Sequence, residues 1–165
     1  MTDTDLDTAH VDGYTIAYRH AGQGDAVVLL HGFLCDCRCW RRQLGGLSNQ
    51  FRVVAWDAPG AGSSSDPPES FPTTDYAHCL AGFLDALHIG CAHVVGLSWG
   101  GILAQELYRL HPERLRRLVL ADTYAGWKGS LPESMWRERL ETCLLEVTAW
   151  SSSRLETFEP SRIPG

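Results

Sequence analysis

Gly96-Leu97-Ser98-Trp99-Gly100-Gly101 is the stretch on which the reading of the fold turns. A short apolar run, His93–Leu97, precedes the serine, and a helical pattern, Gly100–Leu110, follows it and stops before Pro112. A strand that becomes a helix within one residue strains the backbone at the corner. It also presses together the residues two before and two after that corner. Only very small side chains fit there, and Gly96 and Gly100 supply them, while Gly101 lets the helix start close to the sheet. The Ser98 hydroxyl is then expected at the carboxyl edge of a sheet, above a helix amino end whose N–H groups favour negative charge. The plain alternative is an exposed serine in a Gly/Ser turn. The strand before and the helix after favour a nucleophile.

Outward from this corner, strand and helix patterns alternate, the mark of a parallel sheet wrapped by helices. A hairpin is expected first, Thr8–Val11 and Tyr14–His20, joined at Asp12-Gly13. Ala26–Leu30 and Phe51–Trp56 are short, continuous apolar runs, as expected of strands covered on both faces. Helices are predicted over Trp40–Leu47 and from about Asp75 to Leu87, the second capped by Thr73 or Thr74. Leu115–Ala121 reads as the last strand. Beyond Gly129, Met135, Leu140, Leu144 and Val147 fall at helical spacing. The fold class is therefore α/β: a mostly parallel sheet flanked by helices and opened by an antiparallel hairpin.

His31-Gly32-Phe33 follows the Ala26–Leu30 strand and so reaches the same sheet edge as Ser98. An oxyanion hole needs two N–H donors, one from the residue after the nucleophile and one from this loop. Trp99 and Phe33 fill those places, with Gly32 expected to free the backbone to turn. His31 is readable as a general base or as a residue that holds the loop by hydrogen bonds; a His before Gly in this position favours the second. Asp57-Ala-Pro-Gly-Ala-Gly-Ser63 has the beginnings of a dinucleotide loop. Position 65 is Ser, however, and Pro67, Pro68 and Pro72 forbid the helix that would hold a pyrophosphate, so a structural turn is expected.

Composition bounds the rest. One hundred and sixty-five residues suffice for one ordinary domain. Fourteen Lys and Arg against 20 Asp and Glu give a net charge of −6, with no basic cluster to neutralise phosphates, so nucleic acid is not an expected partner. No apolar run approaches the ~20 residues that cross a bilayer. Met1–Asp7 is polar and acidic rather than basic then apolar, so no membrane partner and a cytoplasmic location are expected. The six cysteines show no paired framework. Cys35, Cys37 and Cys39 alternate, unlike the Cys-x-x-Cys of a zinc knuckle, so neither metal nor cofactor is expected.

Four motifs in order, His31-Gly32-Phe33, Asp57–Ser63, Gly96–Gly101 and His111-Pro-Glu-Arg-Leu115 leading into Leu118–Asp122, resemble the amino-terminal part of an α/β-hydrolase with a helical cap, of the esterase and lactonase kind. The resemblance spans residues 11 to about 130. It divides the chain into the amino-terminal part of the core, 1–123, and the start of a cap, 124–165, where Trp127, Met135 and Trp136 are candidates to line an acyl pocket or plain packing residues. It implies Ser98 as nucleophile, Phe33 and Trp99 as oxyanion donors, and a small-molecule acyl substrate. Haloalkane dehalogenases and epoxide hydrolases of similar sequence carry Asp at the elbow, so Ser98 points to acyl transfer from esters, lactones or thioesters.

One departure from the family is decisive. The triad runs Ser, acid, His, and after Ser98 the only histidine is His111, 13 residues along the same helix and so about 20 Å away. Asp122, after the last strand, is a candidate acid or a plain turn residue. The strands carrying the usual acid and His are absent from the resemblance. The expectation is a truncated hydrolase, nearly inactive alone. A non-catalytic small-molecule binding module, or an assembly in which another chain completes the site, are the alternatives.

Overall fold

The computed structural model describes residues 5–124 and Ser134; the expected helix around Met135–Val147, together with Trp127 and Trp136, lies outside them. Residues 5–124 fall within one unit of the chain, Met1–Ala125. The elements are β1 (Leu6–Val11), β2 (Tyr14–Ala21), β3 (Ala26–Leu30), a 3₁₀ turn (Cys37–Trp40), α1 (Arg41–Leu47), β4 (Arg52–Trp56), α2 (Thr73–Ala86), β5 (Ala92–Leu97), α3 (Trp99–Leu110) and β6 (Leu115–Ala121).

Six strands form one sheet in the order β1-β2-β4-β3-β5-β6. The β1–β2 hairpin and the β2–β4 pair are antiparallel, while β4, β3, β5 and β6 run parallel. This is the expected α/β class. Period-two alternation divides the strands between two cores. Val28, Leu30, Val54, Trp56, Ala92 and Val94 face Leu80, Phe83, Leu84, Leu103 and Leu107 of α2 and α3. Val27, Leu29, Val53 and Ala55 face Cys37, Trp40 and Leu44 on the other side. Each fully buried Leu or Val contributes about 1.5–3 kcal/mol, so the two central strands, β3 and β4, are fixed by burial on both faces.

Helix α2 begins two residues earlier than expected, and neither Thr73 nor Thr74 caps it. Pro72 is the cap residue: its carbonyl accepts the Asp75 and Tyr76 amides (2.9 and 3.3 Å). Proline lacks an N–H but keeps a good acceptor, so it ends an extended segment and starts the helix in one step. Residues 57–72 are loop, sewn to β2 at Asp57, Ser64 and Ser65. Ser65 Oγ accepts the Thr15 amide, Ser64 Oγ accepts that of Ala17 and donates to Asp57 O, and the Ser65 amide donates to Thr15 O.

Candidate active site

The connections from β3 and from β5 leave the sheet in opposite directions: β3 leads through α1 to β4 on one side, β5 through α3 to β6 on the other. That divergence opens a crevice at the carboxyl ends of the two strands, where open α/β sheets bind ligands. Register brings Leu30 beside Gly96, so the loop His31–Phe33 and the corner at Ser98 emerge as neighbours. On the other side Leu97 pairs with Ala121, which brings residues 122–124 to the same edge.

Ser98 sits in the corner at φ +50°, ψ −115°, half-buried, directly before α3. A non-glycine residue there costs about 1–3 kcal/mol and persists only where the surroundings hold it. Three contacts do so. The Ser98 amide donates to Ala121 O (2.9 Å), its carbonyl accepts the Gly101 amide (2.9 Å), and the Thr123 hydroxyl donates to the same carbonyl (2.6 Å). The flanking glycines are needed for close approach. A methyl on Gly96 would stand 2.5 Å from Gly100 O, one on Gly100 would run into Leu30 O, and one on Gly101 would stand 2.5–2.6 Å from the Thr123 side chain.

Gly32 has a different reason from the expected one. Its φ lies outside the left-handed region, so it does not serve to turn the backbone. A Cβ there would stand 3.5 Å from the Ser98 Cβ. The missing side chain therefore leaves room over the serine. The carbonyl of Gly32 is held twice, by His31 Nδ1 at 2.8 Å and by the Cys35 amide at 3.2 Å. In a trans peptide the C=O and the next N–H point in opposite directions. Fixing Gly32 O thus aims the Phe33 amide away from the His31 ring, on a loop that lies against Ser98. The Trp99 amide belongs to the first residue of α3, whose leading N–H groups have no partner inside the helix.

The alpha/beta hydrolase fold model matches residues 25–162. The chain belongs to the α/β-hydrolase fold family. It is 44% identical over 80 residues to a poly(3-hydroxyalkanoate) depolymerase of Ectopseudomonas oleovorans, covering 48% of this chain and 28% of that one. Among solved structures it is similar to an epoxide hydrolase (TM-score 0.75, 29% identity, 80% of this chain and 48% of that). It is also similar to a thermophilic esterase of Thermogutta terrifontis (TM-score 0.69, 32% identity, 73% and 46%). The chain spans less than half the length of these relatives.

Within this α/β-hydrolase chain, His31 is buried, with both ring nitrogens engaged. Nε2 accepts the Ala58 amide at 3.0 Å, which leaves the proton on Nδ1 to donate to Gly32 O. Burial pushes its pKa down, against the raising effects of the Gly32 carbonyl and of Asp57 and Asp36. A neutral ring with a fixed tautomer orients a loop. It has no nitrogen left to take a proton from Ser98. All seven histidines of the sequence are among the described residues. His111, at the end of α3, meets His78 of α2 ring to ring (3.0 Å) and not the elbow. Asp122 follows β6 at φ +45°, exposed, between the two residues that brace Ser98.

One supporting residue carried no motif in the sequence: Thr123, just after β6, whose hydroxyl locks the corner. Asp57, the first residue of the Asp57–Ser63 motif, supports the expected structural turn: buried after β4, its carboxylate accepts the Cys37 amide (2.7 Å) and the Ser63 amide (2.9 Å) and fills the space beside Gly62. Asp36, Cys37 and Asp57 have ligand-type atoms within 4.8 Å of one another. Their donor set is already committed, however. Asp36 accepts from the Arg38 backbone and guanidinium, and burial with Asp57 beside it holds the Cys37 thiol up at about 12, fully protonated.

Aromatic rings form one wall near the corner. Trp99 packs against Tyr76 (5.0 Å) and Phe33 (6.5 Å), both edge to face, and Tyr76 packs on Phe71 (4.7 Å). Phe33 is 52% exposed. A separate open cleft of about 280 Å³, lined by Asp25, Arg52, His88, Cys91 and Arg116, lies at the amino ends of the strands, the edge opposite to Ser98.

Proposed function

We propose that this chain carries the nucleophile and oxyanion half of a serine ester hydrolase, with Ser98 as nucleophile and the amides of Phe33 and Trp99 as oxyanion donors. The observation that carries the reading is the strained Ser98 corner with Gly32 kept empty above it, 3.5 Å from Cβ to the position a side chain would take. Acyl transfer to water fits a hydroxyl nucleophile: Ser98 Oγ attacks a carbonyl as its proton passes to a base, and the oxyanion forms against preorganised amides. The substrate class is a small acyl compound, an ester, lactone or thioester, with Phe33, Trp99 and Tyr76 offering an apolar wall. The esterase and depolymerase among the similar proteins support this. The similar epoxide hydrolase is separated from it by the serine, because hydrolases of that kind carry Asp at the elbow.

His31 has both ring nitrogens engaged and His111 pairs with His78, so in this reading the base comes from residues other than these. Asp122 stands where an acid could orient such a histidine. The reading needs no metal, cofactor or nucleic acid. Free cysteines among the described residues support a reducing, cytoplasmic setting, and no described helix is long and apolar enough to cross a membrane.

Labelling with a fluorophosphonate tests this. The chain alone labels slowly at Ser98, the chain extended by the coding sequence that follows residue 165 labels fast, and Ser98→Ala labels in neither. Without its base the serine keeps only the modest catalysis of the oxyanion donors, ~10³–10⁴ over water. Fast labelling of the 165 residues alone would place a base within them. An extended chain that binds a small acyl compound without labelling would mark a binding module instead.

A further inference from the structure

We propose that His78 and His111 form a binding site for a divalent transition-metal ion, of the copper(II) or nickel(II) kind, where α2 meets the end of α3. His78 Nδ1 and His111 Nε2 stand 3.0 Å apart, with ring centroids 5.1 Å apart and ring planes at 83°. A metal–imidazole bond is ~2.0–2.1 Å long, so two nitrogens at right angles about one ion stand roughly 2.8–3.0 Å apart, and at the tetrahedral angle about 3.3–3.4 Å. The observed separation matches the right angle. That selects the square-planar and tetragonal preferences of copper(II) and nickel(II) over the tetrahedral one of zinc, and imidazole suits both ions. The rings do not stack, so a rotation of each about its side-chain bonds turns the two nitrogens from one another onto a shared ion.

Both backbones are fixed before any ion arrives. His78 lies within α2 between Ala77 and Cys79, both buried, and α2 packs on α3 through Leu80, Leu84, Leu103 and Leu107. His111 ends α3: its amide donates to Leu107 O at 2.7 Å, its carbonyl accepts the Arg114 amide at 3.0 Å, and Pro112 follows. Two ligands carried by packed helices lose little freedom on binding. His78 is exposed and the His111 side chain is 25% exposed, so water reaches the remaining positions around the ion.

The protons are also accommodated. Glu113 Oε1 lies 3.8 Å from His111 Nδ1, the nitrogen that does not meet His78. A carboxylate there favours the proton on Nδ1 and leaves the lone pair on Nε2, the arrangement usual beside metal-bound histidines. His78 Nδ1–H then donates to that lone pair. On an exposed ring this proton moves to Nε2 through water, which frees the second lone pair. The ion takes the place of the hydrogen bond, and the pair loses no proton. The site lies at the far end of α3 from Ser98, about 20 Å along the axis, so it does not rest on the hydrolase reading.

The native chain is titrated with nickel(II) chloride while the imidazole signals of all seven histidines are followed by NMR. Paramagnetic broadening is expected at His78 and His111 together, at lower nickel(II) than at His10, His20, His31, His88 or His93. His78→Asn and His111→Asn are each expected to weaken nickel(II) binding about a hundredfold, since either leaves one ligand of a two-point site. Nickel(II) should also raise the denaturation temperature of the native chain and leave that of both variants unmoved, because an ion held by two helices prefers the folded state. Broadening spread evenly over the exposed histidines, or a single variant that keeps native affinity, would overturn the proposal and leave an ordinary hydrogen bond between two rings. Zinc(II) that displaces nickel(II) at equal concentration would overturn the right-angle geometry.

Discussion

Three glycines that look alike in the sequence do different work at the level of single atoms, and alanine separates them. A methyl on Gly100 meets Leu30 O and, at 2.6 Å, His31 O. Both are backbone atoms at the end of a strand paired on both sides, so neither can retreat. Gly100→Ala is expected to destabilise by about 1–3 kcal/mol through overpacking, a fall of several degrees in thermal denaturation. A methyl on Gly32 finds ordinary contact distance instead, so Gly32→Ala leaves the melting temperature within about 1 °C. It does put a carbon over Ser98, and fluorophosphonate labelling of the extended chain should drop at least tenfold. Gly45, in exposed α1 with open space around it, gains about 0.5–1 kcal/mol as alanine. A Gly32→Ala chain that labels normally would show that this space is not on the path to the hydroxyl.

Among the elements, the loops after β3 and β4 meet through one imidazole, and its protonation ties them to pH. His31 links Gly32 O to the Ala58 amide, and burial lowers its pKa below the 6.5 of an unfolded chain. Below 6.5 the unfolded state binds a proton that the folded state refuses, so this contribution is complete above 6.5 and is lost as pH falls from there toward the folded value. The urea midpoint should therefore fall between pH 7.5 and 5.5, by no more than about 1.4 kcal/mol per pH unit from this group. His31→Gln, less stable throughout, should show a flatter slope; an equal slope would mean that His31 takes no part. Strands β3 and β4 were legible because continuous apolar runs admit little else, and the corner at Ser98 because Gly96 and Gly100 have no other purpose at that spacing. Gly32 was found for the wrong reason, since sequence does not show whether a glycine supplies a dihedral angle or a space. Thr123, and the seam of Ser64 and Ser65 along β2, were not legible at all. A hydroxyl that bonds backbone across the fold has no periodicity and no motif.

At the scale of the whole molecule, the sheet is unevenly finished. Its other edge is the β1 hairpin strand, whose inner face is covered by α2, but β6 has Val119 53% and Leu120 45% exposed. Val119 and Leu120 point to opposite faces of the strand and both are exposed, although Leu115 and Leu118 pack against the core under α3, and among the described residues β6 pairs only with β5. Buried parallel strands are stable because both faces are covered; an apolar edge without that cover is a template for pairing with another chain. Arg114 nevertheless anchors the start of β6, through Gly90 O, Ile89 O and Asp85 at 2.8–2.9 Å, so the strand is held in register and presents a fixed edge. The 165-residue chain should therefore self-associate as its concentration rises, by sedimentation velocity, while Val119→Lys together with Leu120→Lys shifts it toward monomer. Both positions are solvent-exposed, so the double substitution leaves the elbow contacts of Ser98 in place. A chain that stays monomeric over the same concentrations without the lysines would mean that the β6 edge is covered after all.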